Sequence, residues 1–179
     1  MVITGDGDLA RRLRLLRNHG QTSSYEHAIL GCNWRLSEMQ AAMGRAQTAK
    51  LEAILERKRT LAAELDQMLE PAVGIQVPVV RPDRDHVHML YTVKLESGPA
   101  VRDAIIDEMA RRGVETRVYF PPVHRQPIFR GMSAELPVTE DIAGRILSLP
   151  IHSRLTFEEL EEVAVALAAS IGAVCAGRT

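Results

Sequence analysis

Two clusters in this chain carry side chains able to hold an anion or a polar substrate. The first is Asn33 and Arg35, just ahead of Ser37. Ser37 and Gln40, three residues apart, have the spacing of a helix-opening capping box. Helix starts present backbone N–H groups without intrahelical partners and the positive end of the helix dipole, so donors placed there suit a phosphate or a carboxylate. The plainer account is a helix start preceded by two solvated polar residues. The second cluster is Tyr119 and His124, in the segment Tyr119-Phe120-Pro121-Pro122-Val123-His124. Its two prolines fix the backbone and can aim both side chains in defined directions; a simple proline turn exposing a histidine is the alternative.

No reaction is named by these residues alone, and no catalytic residue is assigned. The lysines are Lys50, Lys58 and Lys94. The first two fall on a charged helix face and the third near a strand end, and none has the apolar surroundings that make a lysine nucleophilic. His86 and His88 would share one face of an extended strand, which allows a metal pair, but no third ligand is suggested and no metal is assigned. Asp6-Gly7-Asp8 reads as a turn with a helix cap. His19, at a helix end before Gly20, is placed to complement the negative end of the helix dipole. Cys32 and Cys175 are isolated and read as free thiols of a reducing compartment, with one long-range disulfide as the alternative.

Composition narrows the class. A net charge of −1 with mixed signs argues against nucleic acid or a membrane surface as partner. Arg11, Arg12 and Arg14 lie between leucines as a solvated helix face. The longest apolar tract, 163–174, is too short to span a bilayer, and the first residues have no signal-peptide pattern. The expectation is a cytoplasmic protein.

The elements that must position these residues follow from periodicity. Residues 1–4 read as a short strand and 8–17 as a helix with Leu9, Leu13 and Leu16 inward. Residues 21–32 read as a loop carrying Tyr25 and His27. The helical pattern from Ser37 continues to Leu69, with a bend or break near 48–50, and Pro71 ends it. Residues 73–79 and 86–95 read as strands, 97–112 as a helix and 114–118 as a strand, together a βαβ-like unit. Thr139 would cap a short helix, 147–151 forms a strand, and Thr156 with Glu159 opens the last helix, its stripe Val163, Leu167, Ala168 and Ile171, fraying after Gly172. The division is 1–47, a connecting helix over 48–70, and a compact α/β unit over 71–179.

A series of motifs in this order resembles a known family. It comprises residues 1–4 with the acidic turn, Leu15-Leu16-Arg17-Asn18-His19-Gly20, Gly31-Cys32-Asn33-Trp34-Arg35-Leu36-Ser37-Glu38-Met39-Gln40-Ala41-Ala42 and Leu55-Glu56-Arg57-Lys58-Arg59. It continues through His86-Val87-His88-Met89-Leu90-Tyr91, Val118-Tyr119-Phe120-Pro121-Pro122-Val123-His124 and Leu147-Ser148-Leu149-Pro150-Ile151-His152. The series is similar to the C-terminal half of the DegT/DnrJ/EryC1/StrS sugar aminotransferases and covers essentially the whole chain. The resemblance implies an α/β fold, the C-terminal part of an aspartate-aminotransferase-like (fold type I) protein: a remnant of the large PLP-binding domain over 1–47, then the connecting helix and the small domain. It implies pyridoxal 5'-phosphate as cofactor and amino transfer from glutamate to a nucleotide-linked keto sugar, in a homodimer with active sites at the subunit interface. By position, Asn33 would reach the cofactor phosphate of the neighbouring subunit. Arg35, Tyr119 and His124 would lie on the substrate side.

The chain departs from the family pattern at Met89, where many members carry a second histidine, so no role is carried over there. The family's Schiff-base lysine lies upstream of the strand matched by residues 1–4. The expectation is therefore a truncated or split aminotransferase, inactive without a lysine-bearing N-terminal half. A non-catalytic dimerisation or regulatory module derived from the family is the alternative, and an unrelated small α/β binding domain is disfavoured by the ordered motifs. Apolar faces that a missing sheet would cover predict self-association.

Overall fold

The computed structural model describes residues 2–131 and 134–177. The chain separates into two compact units, 1–51 and 52–179.

The first unit contains α1 (Gly7–Arg17), a hairpin of β1 (Gln21–Ser23) and β2 (Glu26–His27), and α2 (Glu38–Thr48). Asp6 caps α1, its side chain accepting from the N–H groups of Asp8 and Leu9. Residues 2–4 pair with no other strand among the described residues, so the expected strand is not formed; Met1 lies outside those residues. The predicted loop over 21–32 contains a hairpin. Its reversal passes through Tyr25 at φ 65, a left-handed position that no hydrophobic period signals. Neither α1 nor α2 buries a side chain. Leu13 and Leu16 are half-buried and Leu9 is exposed, so the expected stripe is only partly covered. α2 ends at Thr48 and α3 (Leu51–Leu69) begins after Ala49 and Lys50, where the sequence predicts a break.

The second unit holds the core. Its sheet has the order β3–β4–β5, with β3 (Ile75–Gln76), β4 (Tyr91–Leu95) and β5 (Ile146–Leu149) antiparallel throughout. Tyr91 faces Leu149, Val93 faces Leu147 and Leu95 faces Ile75. Residues directly opposite across a ladder share a sheet face, and these pairs make the apolar one. They pack with Leu61, Ala62, Leu65 and Leu69 of α3, with Val101, Ile105 and Met109 of α4 (Pro99–Arg111), and with Leu160, Val163 and Leu167 of α6 (Phe157–Ala176). α3 thus belongs to this core along its second half, where the sequence suggests a connecting segment over 48–70. On the opposite sheet face Thr92 lies across from Ser148, and their hydroxyls share a 2.8 Å hydrogen bond.

The expected strand at 114–118 is reduced to one antiparallel bridge, Arg117 with Ser148. β4 and the Arg117 segment both run antiparallel to β5, so they are parallel to each other with β5 between them. The expected βαβ unit is therefore a split one, with α4 as its crossover. The strand expected over 86–95 begins only at Tyr91, because 86–90 form an irregular turn. α5 (Pro137–Arg145) starts at Pro137 rather than at a Thr139 cap, since proline is preorganised for a first helical position. The capping box of Thr156 and Glu159 is present. α6 continues past Gly172 to Ala176, and its buried stripe includes Ala164, Ala166 and Ser170, whereas Ala168 is exposed. Residues 178 and 179 lie outside the described part. Among the described residues no helix is long and apolar enough to cross a membrane.

Candidate functional site

The Asn33 segment is built by two backbones in contact. His19 (φ 57) and Gly20 (φ 69) turn the chain out of α1, and Gly31 brings it back against the same point. A Cβ on Gly31 would stand 2.3 Å from the Gly20 nitrogen, and one on Gly20 would stand 1.8 Å from the Ile29 oxygen, so neither position admits a side chain. The returning strand then caps the helix end. Cys32 N–H donates to Leu16 O at 2.7 Å and Trp34 N–H donates to Arg17 O at 2.9 Å. Carbonyls that α1 itself leaves unsatisfied are thereby paired. His19 N–H donates to Cys32 O at 3.0 Å, and Asn18 and Asn33 form an antiparallel bridge. His19 also accepts at its carbonyl from His27 Nδ1–H at 2.8 Å, which ties the hairpin to the same corner. Its backbone is therefore a structural node of the site, beyond the dipole role expected of its ring.

Asn33 and Arg35 emerge from this anchored segment exposed to solvent. Arg35 Nε–H donates to Asn33 Oδ1 at 3.0 Å. That bond uses the acceptor of the amide and leaves donors, the Asn33 NH2 and the remaining guanidinium N–H groups, to meet an anion. Downstream, Gln40 N–H donates to Ser37 Oγ at 3.3 Å and Ser37 N–H donates to Gln40 Oε1 at 3.0 Å, the expected capping box. The pair thus sits on a short rigid strap between two capped helices, and its chemistry fits the phosphate end of a cofactor.

Tyr119 and His124 lie in the second unit and have different surroundings. Tyr119 is half-buried and lines a groove with Met89, Leu90, Arg117 and His152. Its ring meets Phe120 edge-on at 5.0 Å. His124 is not part of that groove lining. It sits in a 3-10 turn, Val123–Arg125, and its Nε2–H donates to Glu140 Oε1 at 2.9 Å; Arg125 pairs with Glu140 Oε2 at 2.7 Å. His124 and Arg125 together hold the Glu140 carboxyl below the usual carboxylate range. The structure therefore couples His124 to α5, while Tyr119 faces the groove.

Sequence reasoning missed Glu140, which lies 16 residues from its partner with no periodic link to it. It also missed Arg117 and His152, which reach the groove through the strand bridge and the turn after β5. Lys58, expected on a charged outer face, is half-buried; burial lowers its basicity, and Nζ lies 3.5 Å from Met89 O. Among the described residues no group of three or more His, Cys, Asp or Glu is arranged to hold a metal ion. His86 and His88 stack edge-to-face at 4.4 Å in a turn and share no strand face.

Comparison with known proteins identifies the family of the chain. The sequence model of the DegT/DnrJ/EryC1/StrS aminotransferase family matches residues 1–168. The chain is 42% identical over 158 residues to a dTDP-3-amino-3,4,6-trideoxy-alpha-D-glucose transaminase of Streptomyces venezuelae, covering 86% of this chain and 41% of that protein. It is 36% identical over 169 residues to a UDP-N-acetyl-3-dehydro-alpha-D-glucosamine 3-aminotransferase of Acidithiobacillus ferrooxidans, covering 93% of this chain and 44% of that protein. The crystal structure of DesV from S. venezuelae superposes with a TM-score of 0.87 at 39% identity, over 94% of this chain and 46% of that one. The chain thus spans less than half the length of the relatives it matches, and its fold is that of the corresponding part of the sugar aminotransferases. With a family match over nearly its whole length and the same fold in its relatives, the chain belongs to the DegT/DnrJ/EryC1/StrS aminotransferase family.

Proposed function

We propose that this chain is the C-terminal half of a pyridoxal 5'-phosphate-dependent nucleotide-sugar aminotransferase, acting in the cytoplasm together with a lysine-bearing N-terminal half. When bound, the cofactor supplies the electron sink for moving an amino group from glutamate to a keto sugar. Asn33 donates to its phosphate across a subunit interface of a homodimer. Arg35 stands on the substrate side of that contact, Tyr119 presents its ring and hydroxyl to the sugar nucleotide, and His124 holds the Tyr119 segment through Glu140. Residues 1–47 are the remnant of the large domain, 48–70 the connecting helix and 71–179 the small domain.

The observation that carries this reading is the exposed donor pair on its strap. Asn33 accepts from Arg35 and keeps its NH2 for a ligand, while Cys32 and Trp34 of the strap meet the end of α1 and Ser37 with Gln40 caps the start of α2. The donor set matches a phosphate. None of Lys50, Lys58 and Lys94 lies in the Asn33 strap, which is why a lysine from another half is part of the proposal. Exposed Leu30, Trp34, Leu36, Met39 and Met43 on the same unit support a covering partner.

The test is to express this chain with the N-terminal half of the 42% identical S. venezuelae relative. The expected result is a co-purifying complex that retains pyridoxal phosphate through gel filtration. Asn33→Ala should weaken that retention while leaving the complex intact. Failure of the halves to associate, or retention indifferent to Asn33→Ala, would overturn the proposal. Association and cofactor retention without amino transfer to any dTDP- or UDP-linked keto sugar would favour the non-catalytic module.

A further inference from the structure

His86 and His88 form a turn that the proposed function does not use. His88 N–H donates to His86 Nδ1 at 3.1 Å, and the two rings meet edge-on at 4.4 Å. His88 has φ 43, a left-handed backbone uncommon for a side chain of its size. The residue is 7% exposed, and its own Nδ1 is buried with no hydrogen-bond partner among the described residues. The next two residues, Met89 and Leu90, line the Tyr119 groove.

We propose that the His86–His88 turn is a proton-operated joint in the wall of the Tyr119 groove, closed only while both imidazoles are neutral.

The geometry gives two reasons. Nδ1 of His86 serves as an acceptor, and a protonated ring carries N–H at both nitrogens. Protonating it would set two donors face to face and break the bond that holds His88 in its left-handed conformation. Protonating His88 would place a charge in a buried site beside the His86 ring and faced by two cations of α3, Lys58 and Arg59. Lys58 Nζ lies 3.5 Å from Met89 O. Among the described residues the anion facing His88 is Asp66 of α3, whose Oδ1 already accepts from the Tyr91 hydroxyl on β4. Burial is the largest influence on His88, and with the neighbouring cations it lowers the ring's basicity, Asp66 offsetting part of this. A histidine lowered in the folded state favours folding while neutral. Its contribution is complete above the ordinary value of 6.5 and is lost as pH falls below it.

Hydrogen exchange read by mass spectrometry on the full chain tests the joint. Exchange would be compared at pH 7.5 and 5.5 after correction for intrinsic rates, with peptides of α4 and α6 as internal references. In the wild type, exchange over 87–90 should rise at pH 5.5, by up to about tenfold per pH unit below the titration, while the references hold. The double variant His86→Asn/His88→Asn should keep 87–90 protected at both pH values, because Asn at 86 can accept from the same N–H and Asn at 88 tolerates the left-handed conformation. Equal protection of the wild type at both pH values would overturn the proposal, and so would acid-induced opening of the double variant equal to that of the wild type. The wild-type comparison stands alone should the variant misfold, and no outcome depends on cofactor binding or on activity.

Discussion

Glu140 on α5 accepts from His124 at Oε1 and from Arg125 at both carboxylate oxygens. One side chain therefore fastens the 3-10 turn Val123–Arg125, and with it the proline segment carrying Tyr119, to a helix packed on α4.

Removing that fastening should loosen one segment and spare the core. Glu140→Ala is expected to raise hydrogen exchange over 123–129 with little change in α4 and α6; Glu140→Gln should be milder because it can still accept from His124. Acid should act like the alanine variant. The Glu140 carboxyl is lowered from an ordinary 4.5 by the His124 hydrogen bond first and Arg125 second. Its contribution is full above pH 4.5 and is lost as pH falls below that value through the lowered one. Unchanged exchange over 123–129 in Glu140→Ala would contradict the fastening.

Gly31→Ala should detach the Asn33 strap. A Cβ there meets backbone atoms of His19 and Gly20 at 2.7 and 2.3 Å, and backbone cannot yield as a side-chain tip can. The bonds Cys32 N–H to Leu16 O and Trp34 N–H to Arg17 O would be lost with the contact. Trp34 is the sole tryptophan, so its fluorescence reads the strap directly. The expected outcome is a shifted emission maximum and weaker phosphate binding, with the far-ultraviolet signal of the second unit retained. An unchanged emission spectrum would count against the close approach as the determinant of the strap.

Elements with strong periodicity were legible before any coordinates. The capping boxes at Ser37 and Thr156 state their geometry in two residue types each, and Tyr91, Val93 and Leu95 alternate cleanly into the core. Antiparallel placement of β5 between β4 and the Arg117 segment was not legible, because a crossover helix looks the same whether its strands are adjacent or separated by one. The Asn33 strap was readable as a helix start, yet its anchoring on α1 depends on Gly20 and Gly31 touching across a hairpin. The coupling of His124, expected on the substrate side, to Glu140 was not legible because Glu140 arrives from a separate helix, and the His86–His88 turn hid inside an apparent strand alternation.

Tyr91→Phe probes the polar edge of the core. Tyr91 is fully buried, and its hydroxyl donates to Asp66 Oδ1; burial and that carboxylate keep the phenol protonated far above its ordinary value. Phenylalanine keeps the ring packing and removes the donor, leaving a half-buried carboxylate short of one partner. A hydrogen bond to a charged group contributes about 1.5–3 kcal/mol, so chemical denaturation should show a loss near the lower end, given Asp66's partial exposure. Because Asp66 also faces His88, the freed carboxylate should raise the basicity of that imidazole in the closed turn, bring it nearer the ordinary 6.5, and so reduce the acid opening of residues 87–90. A variant as stable as the wild type would show that water replaces the tyrosine without cost.

The first unit sets the last expectation. Among its described residues α1 and α2 bury no side chain, while Leu30 is 97% exposed, Trp34 68% and Met39 76%. Apolar surface of this extent, grouped on one short unit, is driven to find cover at about 25 cal/mol per Å². Size-exclusion chromatography with light scattering should therefore find the chain as an oligomer at micromolar concentration. Met39→Lys/Met43→Lys changes two exposed positions one helical turn apart on α2, without touching the second unit's core, and should shift the distribution toward monomer. The N-terminal half of a relative should compete with self-association for the same face. A stable wild-type monomer, unmoved by the double substitution, would mean that the exposed leucine, tryptophan and methionine side chains cover one another in solution.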